Sequence, residues 1–155
     1  MEEAGETRYA AELTEQTKAN RLDARLLKIS GKFRRRTNES GYHSIMDVWV
    51  DLFPCVQVAS SFEAWWAMQY MLRITGEFHE YCDGFREADD ITQMASMFDE
   101  LEKAWLVLLE REGLSTTDKI RSINLFRDGQ DKAGVLGVPA VYQQVVKVLA
   151  AQPTP

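Results

Sequence analysis

His79 and Cys82 stand three residues apart, a spacing that puts an imidazole and a thiol on one helix face, where they could grip a metal ion. A tetrahedral site would have to draw His43 and Cys55 from irregular separations, and the chain has neither a Cys-x-x-Cys pair nor a His-Glu-x-x-His run. His79 is therefore read as a half-buried polar residue among Phe78, Tyr81 and Phe85, with no metal and no cofactor expected. The carboxylates Asp89-Asp90 and Glu110/Glu112 suit a helix cap and a solvated helix end better than paired acid–base chemistry. Glycine-rich phosphate loops and the Gly-x-Ser-x-Gly nucleophile elbow are absent from the sequence. No catalytic residue is assigned; neither an enzyme nor a small-molecule substrate is expected.

The chemistry that remains is charge. The 155 residues carry a net −6, yet residues 18–36 hold eight basic side chains against the single acid Asp23. Residues 1–17 hold five Glu against one Arg, and residues 37–155 hold eighteen acids against nine bases. A block of one sign on a body of the other marks a place where a partner binds. Lys18, Arg21, Arg25, Lys28, Lys32 and Arg35 step by three, four, three, four and three, one position ahead of the apolar seam Leu22, Leu26, Ile29 and Phe33. On a helix this is a line of cations beside a buried face, broadened at its end by Arg34 and Arg36. Glu2, Glu3, Glu6, Glu12 and Glu15 at the start, with cations toward the end, suit the helix dipole, which explains part of the pattern without a partner. Like charges at this spacing repel by about a few tenths of a kcal/mol per pair, so something should offset them. The candidates are acids of the same chain or of a second copy, an acidic protein partner, or nucleic-acid phosphates. A membrane surface is not expected, because the apolar seam is needed for the core.

The elements that must carry these residues are helical. The seam places a first helix over about 6–36, followed by a polar loop at Thr37–Gly41. Ser44 caps a short second helix with Ile45, Val48, Trp49 and Leu52, which Pro54 is expected to end; Cys55–Ala59 reads as a short extended piece. Ser60 and Glu63 form a capping box for a helix over about 61–85, apolar on nearly every side in its first half and so expected at the centre. Its Trp65-Trp66 pair reads as core, or, if exposed, as an interface anchor. Asp89 or Asp90 caps a helix whose Ile91, Met94, Phe98, Leu101, Trp105 and Leu108 recur at three and four, stopped by Gly113. A short helix follows over about 117–127. Gly129, Gly134 and Gly137 then punctuate the chain, and Pro139 opens a last helix reaching about Ala151. Cys55 and Cys82 read as buried free thiols of a reducing compartment.

The stretch from Gln130 to Pro139, followed by Val141, Val145 and Val146, has a small residue, Ala133, four before a turn glycine, Gly137, and apolar anchors beyond it. Over about 35 residues it resembles the helix-turn-helix superfamily of DNA-binding domains. The resemblance implies three helices, the first over Thr117–Arg127, and a recognition helix that shows Tyr142, Gln143, Gln144 and Lys147 to DNA.

The expectation is a single all-α domain over 1–152, an irregular bundle of five to six helices: a basic N-terminal helix (about 6–36), a helical core (about 44–127) and a C-terminal corner (about 130–151). A frayed tail would occupy 153–155. It would be a cytoplasmic, non-enzymatic interaction or regulatory protein. Lys18, Arg21, Arg25, Lys28, Lys32 and Arg34 to Arg36 would engage an acidic protein surface or a second copy. The alternative is nucleic-acid binding through the same row.

Overall fold

Six helices carry the chain: α1 (Glu2–Arg34), α2 (Ile45–Ser60), α3 (Ala64–Asp83), α4 (Ala88–Leu109), α5 (Thr116–Leu136) and α6 (Gln143–Ala150). The computed structural model describes residues 2–151, with side chains from Thr14 onward, so the tail 153–155 lies outside the described residues. The all-α expectation holds: most of the described residues are helical, and no strand occurs among them. Among the described residues no helix is long and apolar enough to cross a membrane.

The central position expected for α3 follows from its girth. Ala67, Met68, Met71, Leu72, Ile74, Phe78 and Cys82 are all buried, and α3 packs against α2, α4 and α5. Its polar atoms also reach outward, each to a different helix. Tyr70 Oη donates to Asp23 of α1 (2.8 Å), Thr75 Oγ1 accepts from Trp105 Nε1 of α4 (2.8 Å), and Gln69 Nε2 donates to Asp118 of α5 (3.1 Å). A helix apolar on all sides sits inside, and its few polar groups must find partners there.

α2 and α4 run side by side in the same direction, and α4's flanks hold both ends of α2. Ser44 caps α2 as expected, its Oγ accepting from Asp47 N at 3.2 Å. The next free donor, Ile45 N, is taken by Asp90 Oδ1 of α4 at 2.9 Å in a buried contact. At the other end, Arg111 donates to the carbonyls of Ser60 and Phe62. A carboxylate at the N-terminus and a guanidinium at the C-terminus both match the helix dipole. Asp90 therefore caps a neighbour. The N-cap of α4 itself is Glu87, and Gly113 lies in the turn beyond the C-cap Glu110.

Three sequence expectations fail, each because a local signal does not decide the local structure. Pro54 does not end α2, which continues to Ser60, so Cys55–Ala59 is helical. Val50, whose carbonyl Pro54 cannot bond, and Pro54 itself are both exposed, so water can satisfy the lost bond. The capping box is absent, because Ser60 Oγ donates back to Val56 O and α3 starts after Glu63 with no side-chain cap. Gly129 and Gly134 do not interrupt α5, which runs unbroken to Leu136. The three-helix reading of the C-terminal third fails accordingly. Gly137, at φ 89°, does end α5: Val138 N reaches Ala133 O (2.8 Å) and Gly137 N reaches Gly134 O (3.1 Å), a left-handed cap that glycine adopts at little cost. Pro139 lies in the following turn, and α6 starts only at Gln143.

Gly129 serves contact rather than flexibility. A Cβ there would come within 2.5 Å of His79 and 2.7 Å of the Tyr142 ring, both buried, whereas a Cβ on Gly134 meets nothing within 4 Å. Gly129→Ala should therefore destabilise the protein by about 1–3 kcal/mol through overpacking. Gly134→Ala should stabilise it by about 0.5–1 kcal/mol through helix propensity. Urea midpoints of the two variants, measured side by side, check the opposite signs.

Candidate basic interface

The cation line of α1 is set by how α1 is seated. Ala19, Leu22, Leu26 and Ile29 are buried, each at 4% exposure or less, which fixes the rotation of the helix about its axis. Asp23 on one flank accepts from Tyr70 Oη and from Arg73 Nη1 of α3 (3.3 Å). The opposite flank, carrying Arg21, Arg25 and Lys28, is exposed beside α2. Lys18 stacks on Phe62 past the end of α2 (4.5 Å) and Lys32 on Tyr42 before its start (4.9 Å), so α1 and α2 run antiparallel. Helix α1 ends at Arg34, two residues earlier than expected. Arg36 folds back over the Phe33 ring (4.1 Å) and donates to the Phe33 carbonyl (3.2 Å), closing the helix end.

Among the described residues the row is largely unanswered, and its one ion pair there joins Lys18 to Glu15 (3.4 Å) on the same helix. Lys32 and Arg36 have the aromatic contacts just given, while Arg21, Arg25, Lys28, Arg34 and Arg35 have no carboxylate within 4 Å. Several of the described acids of the body are engaged elsewhere. Asp90 caps α2, Glu102 Oε2 accepts from Gln144 N (3.1 Å) and Val145 N (3.3 Å) at the start of α6, and Glu100 accepts from Trp49 Nε1 (3.1 Å). The explanation in which the acidic body neutralises the row finds no ion pair there. Glu2, Glu3, Glu6 and Glu12 have side chains outside the described set.

Between the row and α2 runs a groove of about 470 Å³ lined by Arg25, Lys28, Ile29, Lys32, Tyr42, Val50, Asp51 and Pro54. It continues into a hollow of about 510 Å³ that adds Glu39, His43 and Asp47. Tyr42 is 2% exposed and donates its hydroxyl to Asp51 Oδ2 at 2.6 Å. Burial, then that hydrogen bond, pushes the phenol well above its usual range, so it stays a proton donor holding Asp51 in place. Val50 is 63% exposed, an apolar side chain standing opposite three cations.

The DNA-reading residues come apart. Tyr142 is buried with its backbone left-handed at φ 58°, so it cannot reach a base. Gln143, Gln144 and Lys147 are exposed, but Glu102 already occupies the α6 N-terminus with a negative charge where a phosphate would bind. Tyr142 faces inward instead, its Oη 2.7 Å from His79 Nε2, packed with Phe98 and Phe126. His79 is 1% exposed rather than half-buried, and its Nδ1 has no partner. Among the described residues no three of His, Cys, Asp and Glu are grouped to hold a metal ion, and Cys55 and Cys82 are buried free thiols. Trp65 is 61% exposed and packs edge-on against the half-buried Trp66 (5.3 Å), so the tryptophan pair is not wholly core. Neither the Glu102 cap nor the Pro54 groove has a signal in local sequence, since both depend on contacts between distant segments.

Burial lowers the His79 pKa from 6.5 to about 4, helped by Lys132 and opposed by Asp128. The unfolded chain therefore binds the proton more readily than the folded one between these values. The contribution of neutral His79 is full above pH about 6.5 and falls away, by about 3 kcal/mol in all, as pH drops toward 4. NMR titration of the His79 ring should show no protonation above pH about 5; a midpoint near 6.5 would contradict the burial described.

No protein-family model matches the chain, and comparison with curated proteins and with solved structures finds no match either.

Proposed function

We propose that this chain is a non-enzymatic interaction protein whose α1 basic row engages an acidic protein surface. One observation carries the reading: Arg21, Arg25, Lys28 and Arg34 lie on a single helix and Arg35 directly beyond its end, none with a carboxylate within 4 Å among the described residues. Desolvated cations need partners, and solvated ones in a row repel each other. A row kept at that cost is best explained by a ligand that supplies the missing negative charge. Charge-assisted contacts to carboxylates would supply it, and they weaken with salt as the Debye length shrinks.

The groove favours carboxylates over nucleic-acid phosphates. Asp51 lies inside it and Glu39 and Asp47 line its continuation, where they would repel a continuous phosphate backbone. Tyr42, the aromatic residue of the groove, is buried and offers no face for base stacking.

An oligo-glutamate peptide and a generic duplex DNA, each titrated over a salt series, test the reading. The peptide should bind at low salt and lose affinity as salt rises. Arg21→Glu/Arg25→Glu/Lys28→Glu should abolish binding while leaving the helical circular-dichroism signal unchanged. Duplex binding with a log–log salt slope near about −4 to −5 would instead favour phosphate recognition through about five contacts.

A further inference from the structure

We infer that the α1–α2 groove is the seat of an acidic amphipathic helix of a partner protein, gripped by charge on one wall and by apolar contact on the other. The inference rests on the acidic-partner reading and narrows it from a charged line to a docking mode. The α1 wall presents Arg25, Lys28 and Lys32, spaced by three and four residues, which places them along one helix edge about 4.5 Å and about 6 Å apart in axial rise. A partner helix with carboxylates at the same three-and-four rhythm meets all three in register. The α2 wall presents Val50, 63% exposed, and Pro54, also exposed, one helical turn apart. That is the spacing at which an apolar residue from a neighbouring helix inserts between two others.

Pro54 adds a second feature to that wall. It has no N–H to give the carbonyl of Val50, so α2 presents a backbone acceptor without its usual helical donor beside the exposed Val50 side chain. A solvated helix gains nothing from a proline ten residues in, whereas a wall that must be apolar and keep one acceptor does. Asp51, next to Val50 on α2 and pinned by Tyr42, adds one carboxylate to the groove lining. It disfavours a ligand that is negative on every side and tolerates one whose carboxylates lie only along the α1 edge. The groove therefore selects for a helix that is acidic on one flank and apolar on the next, and a uniformly charged chain meets it less well.

The full chain can be titrated by fluorescence anisotropy with two synthetic helices of about 18 residues. Both carry Glu at the three-and-four rhythm; one has Leu and the other Ser along the adjacent flank. At about 50 mM salt the Leu peptide should bind about tenfold or more tighter than the Ser peptide. Val50→Glu should bring the Leu peptide down to the level of the Ser peptide, and Arg25→Glu/Lys28→Glu should remove binding of both. Equal affinities for the two peptides, or indifference to Val50→Glu, overturn the groove and leave the charge-only reading standing. No binding of either peptide, with oligo-glutamate also unbound, overturns both. Because Val50 is exposed, its replacement should leave the unfolding midpoint unchanged; Val50→Ser provides a milder variant with the same expected direction. Sedimentation in the same buffer completes the test: a dimer that Arg25→Glu/Lys28→Glu dissociates would make the occupant a second copy of the chain and overturn the partner-helix assignment.

Discussion

The burial of α3 governs the rest of this protein. Met68, Met71, Ile74 and Phe78 are each 0% exposed, so neighbouring helices must close over them from different directions. At about 1.5–3 kcal/mol for each large apolar side chain removed from water, the seating of those neighbours has little freedom. Their directions are then fixed by polar pins that leave α3 at separate points: Tyr70 to Asp23, Thr75 to Trp105, Gln69 to Asp118 and His79 to Tyr142. The last of these holds a left-handed tyrosine whose backbone cost is offset by complete burial of its ring.

The orientation of α1 is a consequence of this packing. Ala19, Leu22, Leu26 and Ile29 give it a narrow buried stripe, Asp23 ties one flank to α3, and the opposite flank is left outside with its cations. Several acids of the body serve instead as helix caps and cross-links. Asp90 caps α2, Glu102 caps α6, and Asp118 joins α5 to α3. The acidic surplus of the chain is thus partly structural, and a net charge of −6 coexists with an unanswered basic edge.

Elements whose periodicity is long and regular were legible from sequence. The stripe Ile91, Met94, Phe98, Leu101, Trp105 and Leu108 is buried from Met94 onward with Ile91 half-buried, and the seam Leu22, Leu26, Ile29 and Phe33 is buried up to Ile29 with Phe33 half-buried. The signals that misled were single residues. Pro54 reads as a stop because it removes one hydrogen bond, but its strip of α2 faces water, where that loss is tolerable. Gly129 reads as a break, but it is where α5 must pass His79 and Tyr142, a contact between segments far apart in sequence. The same distance hides the caps from Asp90 and Glu102, since no local pattern links residue 45 to residue 90. Of the candidate interface, the cations could be read along one helix, whereas Val50 and Pro54 join them only once α1 and α2 are set antiparallel.

Among the described residues the fold makes no ion pair with Arg21, Arg25 or Lys28, and the stability of one charge-neutralised variant tests most directly whether the fold needs them. Arg21→Gln/Arg25→Gln/Lys28→Gln in the full chain, unfolded in urea at low salt, should be as stable as the parent or slightly more so, because repulsion along α1 is relieved while no ion pair among the described residues is lost. A loss of about 1 kcal/mol or more would mean that acids of the same chain or of a second copy already hold the row, and would contradict its assignment as a binding edge.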